Sequence, residues 1–197
     1  MTPKISDILV RSAEDIHLFD TPLIMTRNGK MPIEQAFFKR GMDLILAGTG
    51  LIVALPFMTV TAMAVKLQDG GPIIYKQKRL TMDGKEFFVY KFRSMRVDAE
   101  KDGVARLASD GDHRITPVGN FIRKVRLDEL PQLFNILKGD MSIVGPRPER
   151  PEIAKQYEAE MPEFQYRLRV KAGLTGYGQI FGKYNTTPYD KLKLDLY

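Results

Sequence analysis

Two adjacent carboxylates, Asp128 and Glu129, lie in the run RKVRLDELPQ, close to Arg123, Lys124 and Arg126. Cations at this distance favour an ionised carboxylate. An ionised Asp can attack phosphorus and form an aspartyl phosphate. A neighbouring Glu can hold a hard divalent cation, which shields the nucleophile from phosphate charge. The same residues also have a structural reading. A helix is expected to start here, so Asp128 would cap it and Glu129 would complement its dipole. The residue types and spacing leave both open.

A second run, GDMSIVGPRPER, sets Arg147 between Pro146 and Pro148. Proline restricts itself and the residue before it, so the guanidinium is presented from a stiff backbone. Its planar fork suits bidentate contact with phosphate or a uracil edge; the alternative is a solvated Arg on an exposed turn. A third run, Lys91-Phe92-Arg93-Ser94-Met95, alternates basic and apolar residues at the end of an expected strand, as a half-buried strand with a polar face would. None of these is a Walker loop or a GxGxxG motif. Gly145 and the glycines of 173–182 are weak evidence for nucleotide binding by themselves.

The elements that must position these residues begin with an uncharged run, residues 44–65. As a helix it would be about 33 Å long, enough for a hydrocarbon core of about 30 Å. Pro56 lies within it and removes a backbone donor, so a kink or break is expected there. Lys39, Arg40 and Asp43 border one end and Lys66 the other. A straight span and a broken helix that returns to the same face both fit, and basic residues on both flanks favour the second.

The remainder reads as mixed α/β. Strands are expected at 72–77 and 87–92, joined through the turn signal Met82-Asp83-Gly84-Lys85. Residues 98–113 read as a loop or mobile helix. Thr116-Pro117 starts a helix that reaches about 125. A second helix is expected from about Asp128 to Gly139, and a third from Pro151 to about 161. Residues 173–182 contain four glycines, too many for a helix, and read as turns and short strands.

Composition narrows the chemistry. The 197 residues suit one domain with an appendage. There is no Cys, and the two His are His17 and His113. Disulfide frameworks, Cys-based zinc sites and His-rich metal centres are therefore excluded. Residues 1–11 have no apolar core of a cleaved secretory signal. The net charge of +6 lies entirely in 66–197, because residues 1–65 hold six basic and six acidic residues. A basic half favours an anionic partner.

Taken together, the sequence resembles the bacterial sugar transferases, the monotopic polyprenyl-phosphate phosphoglycosyl transferases. The matching blocks run from Lys39-Arg40 to Pro56, then Gly71-Pro72 with Gln77, KFRSM at 91–95, LDELPQ at 127–132, GDMSIVGPRPE at 139–149 and GLTGYGQ at 173–179. The resemblance implies a membrane-dipping, re-entrant broken helix over 36–69 with its break at Pro56. It implies a small α/β catalytic domain over 70–197, at the cytoplasmic face of the bacterial inner membrane. Residues 1–35 would be the tail of a preceding region, and the chain would be truncated at its C-terminus. The implied reaction moves a sugar-1-phosphate from a UDP-sugar to a polyprenyl phosphate, as the first membrane step of surface-glycan assembly. Asp128 would be the nucleophile, and Glu129 together with Asp128 would bind Mg²⁺. Substrate binding would fall to Lys91, Arg93, Arg123, Arg126, Pro146, Arg147 and Pro148.

The chain departs from the family pattern in two places. Leu55-Pro56 stands where many members have Ser-Pro, and Tyr177-Gly178 where many have Trp-Ala. The alternative class is a membrane-anchored basic binding module without catalysis. Phe87, Phe88, Tyr90 and Phe92 could serve such a module as a stacking platform, but the Asp128-Glu129 pair argues against nucleic acid as the partner. A homo-oligomer is compatible with either class.

Overall fold

The structure, a computed structural model, describes residues 13–18, 21–26, 31–99, 112–182 and 187–196, the first two segments through their backbone. Strands β1 (Ala13–Leu18) and β2 (Thr21–Thr26) pair antiparallel. Helix α1 (Ile33–Asp69) follows. The antiparallel pair β3 (Ile74–Leu80) and β4 (Glu86–Phe92) comes next. Helices α2 (Pro117–Lys124) and α3 (Gln132–Lys138) precede strand β5 (Ser142–Val144) and helix α4 (Pro151–Glu160). Strand β6 (Gly173–Thr175) pairs in parallel with β5. Helices α5 (Tyr177–Phe181) and α6 (Pro188–Leu196) end the chain. The mixed α/β expectation holds. Of the expected loop at 98–113, residues 100–111 lie outside the described residues.

Helix α1 is one element of 37 residues that passes through Pro56 and ends where Gly70 takes a left-handed φ of 69°. The interruption expected at Pro56 is therefore not an end of the helix. Asp43, Ala47, Ala54, Thr61 and Val65 are its buried residues. Their spacing of four and seven draws one stripe along the helix. Ala47 and Ala54 pack with Phe87, Val89, Leu133, Ile136 and Met141, and Val65 packs with Phe92 and Ile122. The remaining faces expose Ile45, Ile52, Val53, Leu55, Phe57 and Val60.

Both ends of α1 are held by the rest of the fold. Near its start, Arg40 donates to the carbonyls of Ile136 and Leu137, and Asp43 accepts from Ser142 Oγ and the Ile143 N–H. Near its finish, Gln68 accepts from the Val118 N–H, and Asp69 pairs with Arg93. The helix thus shares one core with the residues that follow it, although the sequence reading separated 36–69 from 70–197.

Local chemistry accounts for the better-read elements. Thr116 caps α2 by accepting from the Gly119 N–H at 2.9 Å, with Pro117 in the first turn. Asn135 is fully buried and ties α3 to β4: its amide donates to the Phe88 carbonyl and accepts from the Tyr90 N–H. The glycine-rich 173–182 stretch does contain a short helix, α5, which the glycine count argued against. Gly176 and Gly182 bracket it, so Gly178 alone lies inside.

Candidate active site

The carboxylate pair does not start a helix. Leu127–Glu129 forms a 3-10 turn entered through Arg126, whose φ of 61° and ψ of 16° are left-handed. Few non-glycine residues adopt this conformation, and those that do are concentrated at functional sites. Pro131 follows, and α3 begins only at Gln132. The cap expected at Asp128 is absent; the N-cap position of α3 is Pro131. Asp128 and Glu129 are both buried.

Glu129 is the focus of a small cation cluster. Its Oε1 accepts from Lys91 Nζ at 2.8 Å and from Arg147 Nη2 at 2.9 Å, while Arg126 Nη1 lies 3.8 Å from Oε2. Strand β4 supplies Lys91, the turn supplies Glu129, and the Pro-Arg-Pro loop supplies Arg147. Arg79, Gln132, Val89, Pro148 and Gly173 complete the walls of this cleft.

The two carboxyls titrate in opposite directions. Burial alone would raise Glu129, but Lys91 and Arg147 override it and hold its pKa at about 2. Burial raises Asp128 above the usual Asp range, against the pull of Lys91 and with a further push from the Glu129 charge. The sequence reading had Arg123, Lys124 and Arg126 keeping Asp128 ionised; desolvation outweighs the pull of Arg123 and Arg126, and the cations in closest contact, Lys91 and Arg147, bond to Glu129 instead. Burial also lowers the Lys91 pKa, with Glu129 opposing.

Other expected residues are distributed unevenly. Arg123 is half-buried and Arg126 exposed, and their charges lower the Asp128 pKa. Arg93 is buried against Asp69 at the end of α1. Its guanidinium pairs there with Asp69 and lies outside the residues that line the cleft around Glu129. Lys91 and Arg93 are two apart, but β4 ends at Phe92, so strand alternation no longer carries Arg93 to the Lys91 face.

The Pro-Arg-Pro loop is fixed through its carbonyls. Pro146 O accepts from the Gly173 N–H, Arg147 O from Arg167 Nη2, Pro148 O from Arg79 Nη1 and Glu149 O from the Leu80 N–H. Prolines offer no N–H, so carbonyls are what such a loop has to bond with. Arg79 and Arg167 were not singled out in the sequence. For Arg79 a signal existed, since Gln77 and Arg79 share one strand face and the Arg79 guanidinium donates to Gln77 Oε1.

Asp128 and Glu129 are the two carboxylates of the cleft that could hold a divalent cation. Mg²⁺ is usually held through one or two carboxylates plus substrate phosphates. Asp128 and Glu129 are adjacent, and both cations closest to Glu129 lie on Oε1 rather than Oε2. Among the described residues no group of three or more His, Cys, Asp or Glu forms a closed metal cage.

A mixed α/β fold with one long apolar helix, a buried Asp-Glu turn and a rigid Pro-Arg-Pro loop defines a class, and the comparisons agree with it. Residues 34–197 match the bacterial sugar transferase family, and the chain belongs to that family. It is 44% identical over 165 residues to the UDP-N-acetylgalactosamine-undecaprenyl-phosphate N-acetylgalactosaminephosphotransferase of Aeromonas hydrophila, covering 82% of this chain and 39% of that protein. It is 52% identical over 130 residues to a candidate undecaprenyl-phosphate N-acetylgalactosaminyl 1-phosphate transferase of Bacillus subtilis (strain 168), covering 66% of this chain and 72% of that protein. The UDP-glucose:undecaprenyl-phosphate glucose-1-phosphate transferase of Escherichia coli (strain K12) is 44% identical over 167 residues, 85% of this chain and 34% of that protein. The chain thus spans well under half the length of two of these three relatives.

Proposed function

We propose that this chain transfers a sugar-1-phosphate from a UDP-sugar to a polyprenyl phosphate of the undecaprenyl class, in two steps through Asp128. The observation that carries this reading is the buried Asp128-Glu129 turn, in which Lys91 and Arg147 converge on Glu129 and leave Asp128 as the carboxylate without an ion pair among the described residues. The names of the relatives support the substrate class, because they join UDP-sugars to undecaprenyl phosphate and differ in the sugar.

In the first step an Asp128 oxygen attacks the sugar-linked phosphorus. The bond from that phosphorus to the bridging oxygen breaks, and UMP leaves with the oxygen and its electron pair. Asp128 then carries the phospho-sugar as a mixed anhydride. In the second step a phosphate oxygen of the lipid attacks the same phosphorus, the anhydride opens, and the Asp128 carboxylate is regenerated. Lys91 stabilises the charge that builds on the phosphoryl oxygens, and such a fixed cation favours the transition state more than the ground state. Arg147 also presents a planar fork to the nucleotide. Mg²⁺, held by Glu129 with Asp128, would screen charge between the carboxylate and the diphosphate.

Helix α1 supports a re-entrant placement at the cytoplasmic face of the inner membrane. Its two ends are bonded to the same domain. A straight span would carry them to opposite sides of the bilayer.

The test is UMP release from UDP-sugars in nanodiscs, with and without polyprenyl phosphate. Without lipid, the peptide holding Asp128 should gain the mass of a phospho-sugar, and added lipid should discharge it. Asp128→Asn should abolish both signals while the protein stays folded. Normal turnover by Asp128→Asn would end the covalent reading.

A further inference from the structure

We infer that Arg167 is a positioning residue for Arg147, and that the C-terminal helix α6 takes part in the reaction by holding Arg167 through Asp195. This rests on the functional reading above.

Arg167 belongs to the 3-10 segment Pro162–Arg169, 20 residues after Arg147, and its side chain is 4% exposed. One nitrogen, Nη2, serves two groups: it donates to the Arg147 carbonyl at 2.8 Å and pairs with Asp195 Oδ2 at 2.7 Å. The other, Nη1, lies 3.5 Å from Glu149 Oε1. The guanidinium also stands over the Phe164 ring, 4.7 Å from its centroid. Four neighbours therefore fix it in one orientation.

The two acids that orient Arg167 are themselves held. Lys191 of α6 pairs with Glu149 Oε1 at 3.1 Å, and Arg79 Nη1 is 3.9 Å from Glu149 Oε2. Asp195, also on α6, has a 3% exposed side chain. Its carboxyl is raised by burial against the pull of Arg167, while Arg167, Lys191 and Arg79 overcome the burial of Glu149 and lower it.

The geometry gives this network a task besides charge balance. Arg147 faces Glu129 with its guanidinium and Arg167 with its carbonyl. A shift of that carbonyl moves the guanidinium in the cleft, and with it the fork that the proposed reading gives to the nucleotide. A point cation such as Lys has one nitrogen and cannot serve the carbonyl and Asp195 while setting a second nitrogen 3.5 Å from Glu149.

A double-mutant cycle separates positioning from mere stability. UMP release by the full chain in nanodiscs is measured for wild type, Arg167→Lys, Arg147→Ala and the double variant, with Tm recorded for each. Arg167→Lys should raise KM for the UDP-sugar about tenfold with kcat changed less than about twofold. In the Arg147→Ala background the same change should alter KM by less than about twofold. Asp195→Asn, a smaller perturbation of the buried cluster, should show the same pattern and serves where Arg167→Lys fails to fold. Equal KM losses in both backgrounds, or a folded Arg167→Lys with unchanged KM, would overturn the positioning role. Wild-type protein that releases no UMP would instead overturn the functional reading and this role with it.

Discussion

Asp128 and Glu129 are consecutive residues of one tight turn, yet their carboxyls are displaced in opposite directions, Glu129 down to about 2 and Asp128 upward. The cause is the aim of Lys91 and Arg147, which both contact Glu129. Environments that push paired carboxyls apart suit them to different work: on the proposed reading Glu129 is the group that stays charged, and Asp128 is the carboxyl whose protonation would gate attack.

A pH–rate profile should therefore show an acid limb above pH 3.8, the ordinary Asp value. Because Lys91 lowers the Asp128 pKa, Lys91→Met should move that limb to still higher pH. A limb that stays in place in Lys91→Met would remove Asp128 as the titrating group.

The same pair predicts how stability depends on pH. Glu129 is depressed from 4.5 to about 2, so its contribution is complete above pH 4.5 and is lost as pH falls through 2. The size is about 3 kcal/mol. Asp128 has the opposite sign: its raised pKa brings in a penalty as pH rises past 3.8. Thermal unfolding should find Asp128→Asn as stable as wild type at pH 7 or more so. Glu129→Gln should flatten the fall in Tm between pH 5 and 2.5.

Arg147→Lys keeps the charge but loses the planar fork. One charge-assisted bond is worth about 1.5–3 kcal/mol, so kcat/KM for the UDP-sugar should fall about 10- to 150-fold. Unchanged kinetics would make Arg147 a structural residue.

Topology can be read by labelling, because the chain has no native cysteine. Glu34→Cys and Leu67→Cys place thiols at exposed positions near the two ends of α1. Both should react with an impermeant reagent from the cytoplasmic side of oriented vesicles. Reaction from opposite sides would exclude the re-entrant placement.

Asn135→Leu removes the side-chain partner of the Phe88 carbonyl and of the Tyr90 N–H of β4. At about 1 kcal/mol for each hydrogen bond lost from a part-buried group, the variant should lose about 2 kcal/mol in chemical denaturation, with the active-site residues untouched.

What the sequence disclosed followed the range of the forces involved. Thr116-Pro117 and the Met82-Asp83-Gly84-Lys85 turn act over a few residues, and both were legible. The start of α3 was misplaced by four residues, because the left-handed Arg126 and the following Pro131 keep Asp128 in a separate turn. The Asp128-Glu129 pair and Arg147 could be found as motifs. Their contact could not, since it spans 18 residues and a strand crossing. Arg79, Arg167 and Asp195 read as ordinary charges along the chain, and only folding converges them under one loop. The pairing of Arg93 with Asp69 was hidden in the same way, because Asp69 lies 24 residues upstream on the helix.

The anchoring of α1 at both ends has a consequence for encounter with the lipid. Among the described residues this helix packs directly on the core that carries the Asp128-Glu129 turn, so on the proposed reading the cleft rides at a fixed height above the bilayer. The acceptor's search is then confined to two dimensions, and its rate is set by the surface density of polyprenyl phosphate in the leaflet. The sugar nucleotide arrives from three dimensions and is governed by bulk concentration. The two half-reactions would thus answer to different variables, and diluting the lipid acceptor within the membrane would slow the second while leaving the first untouched.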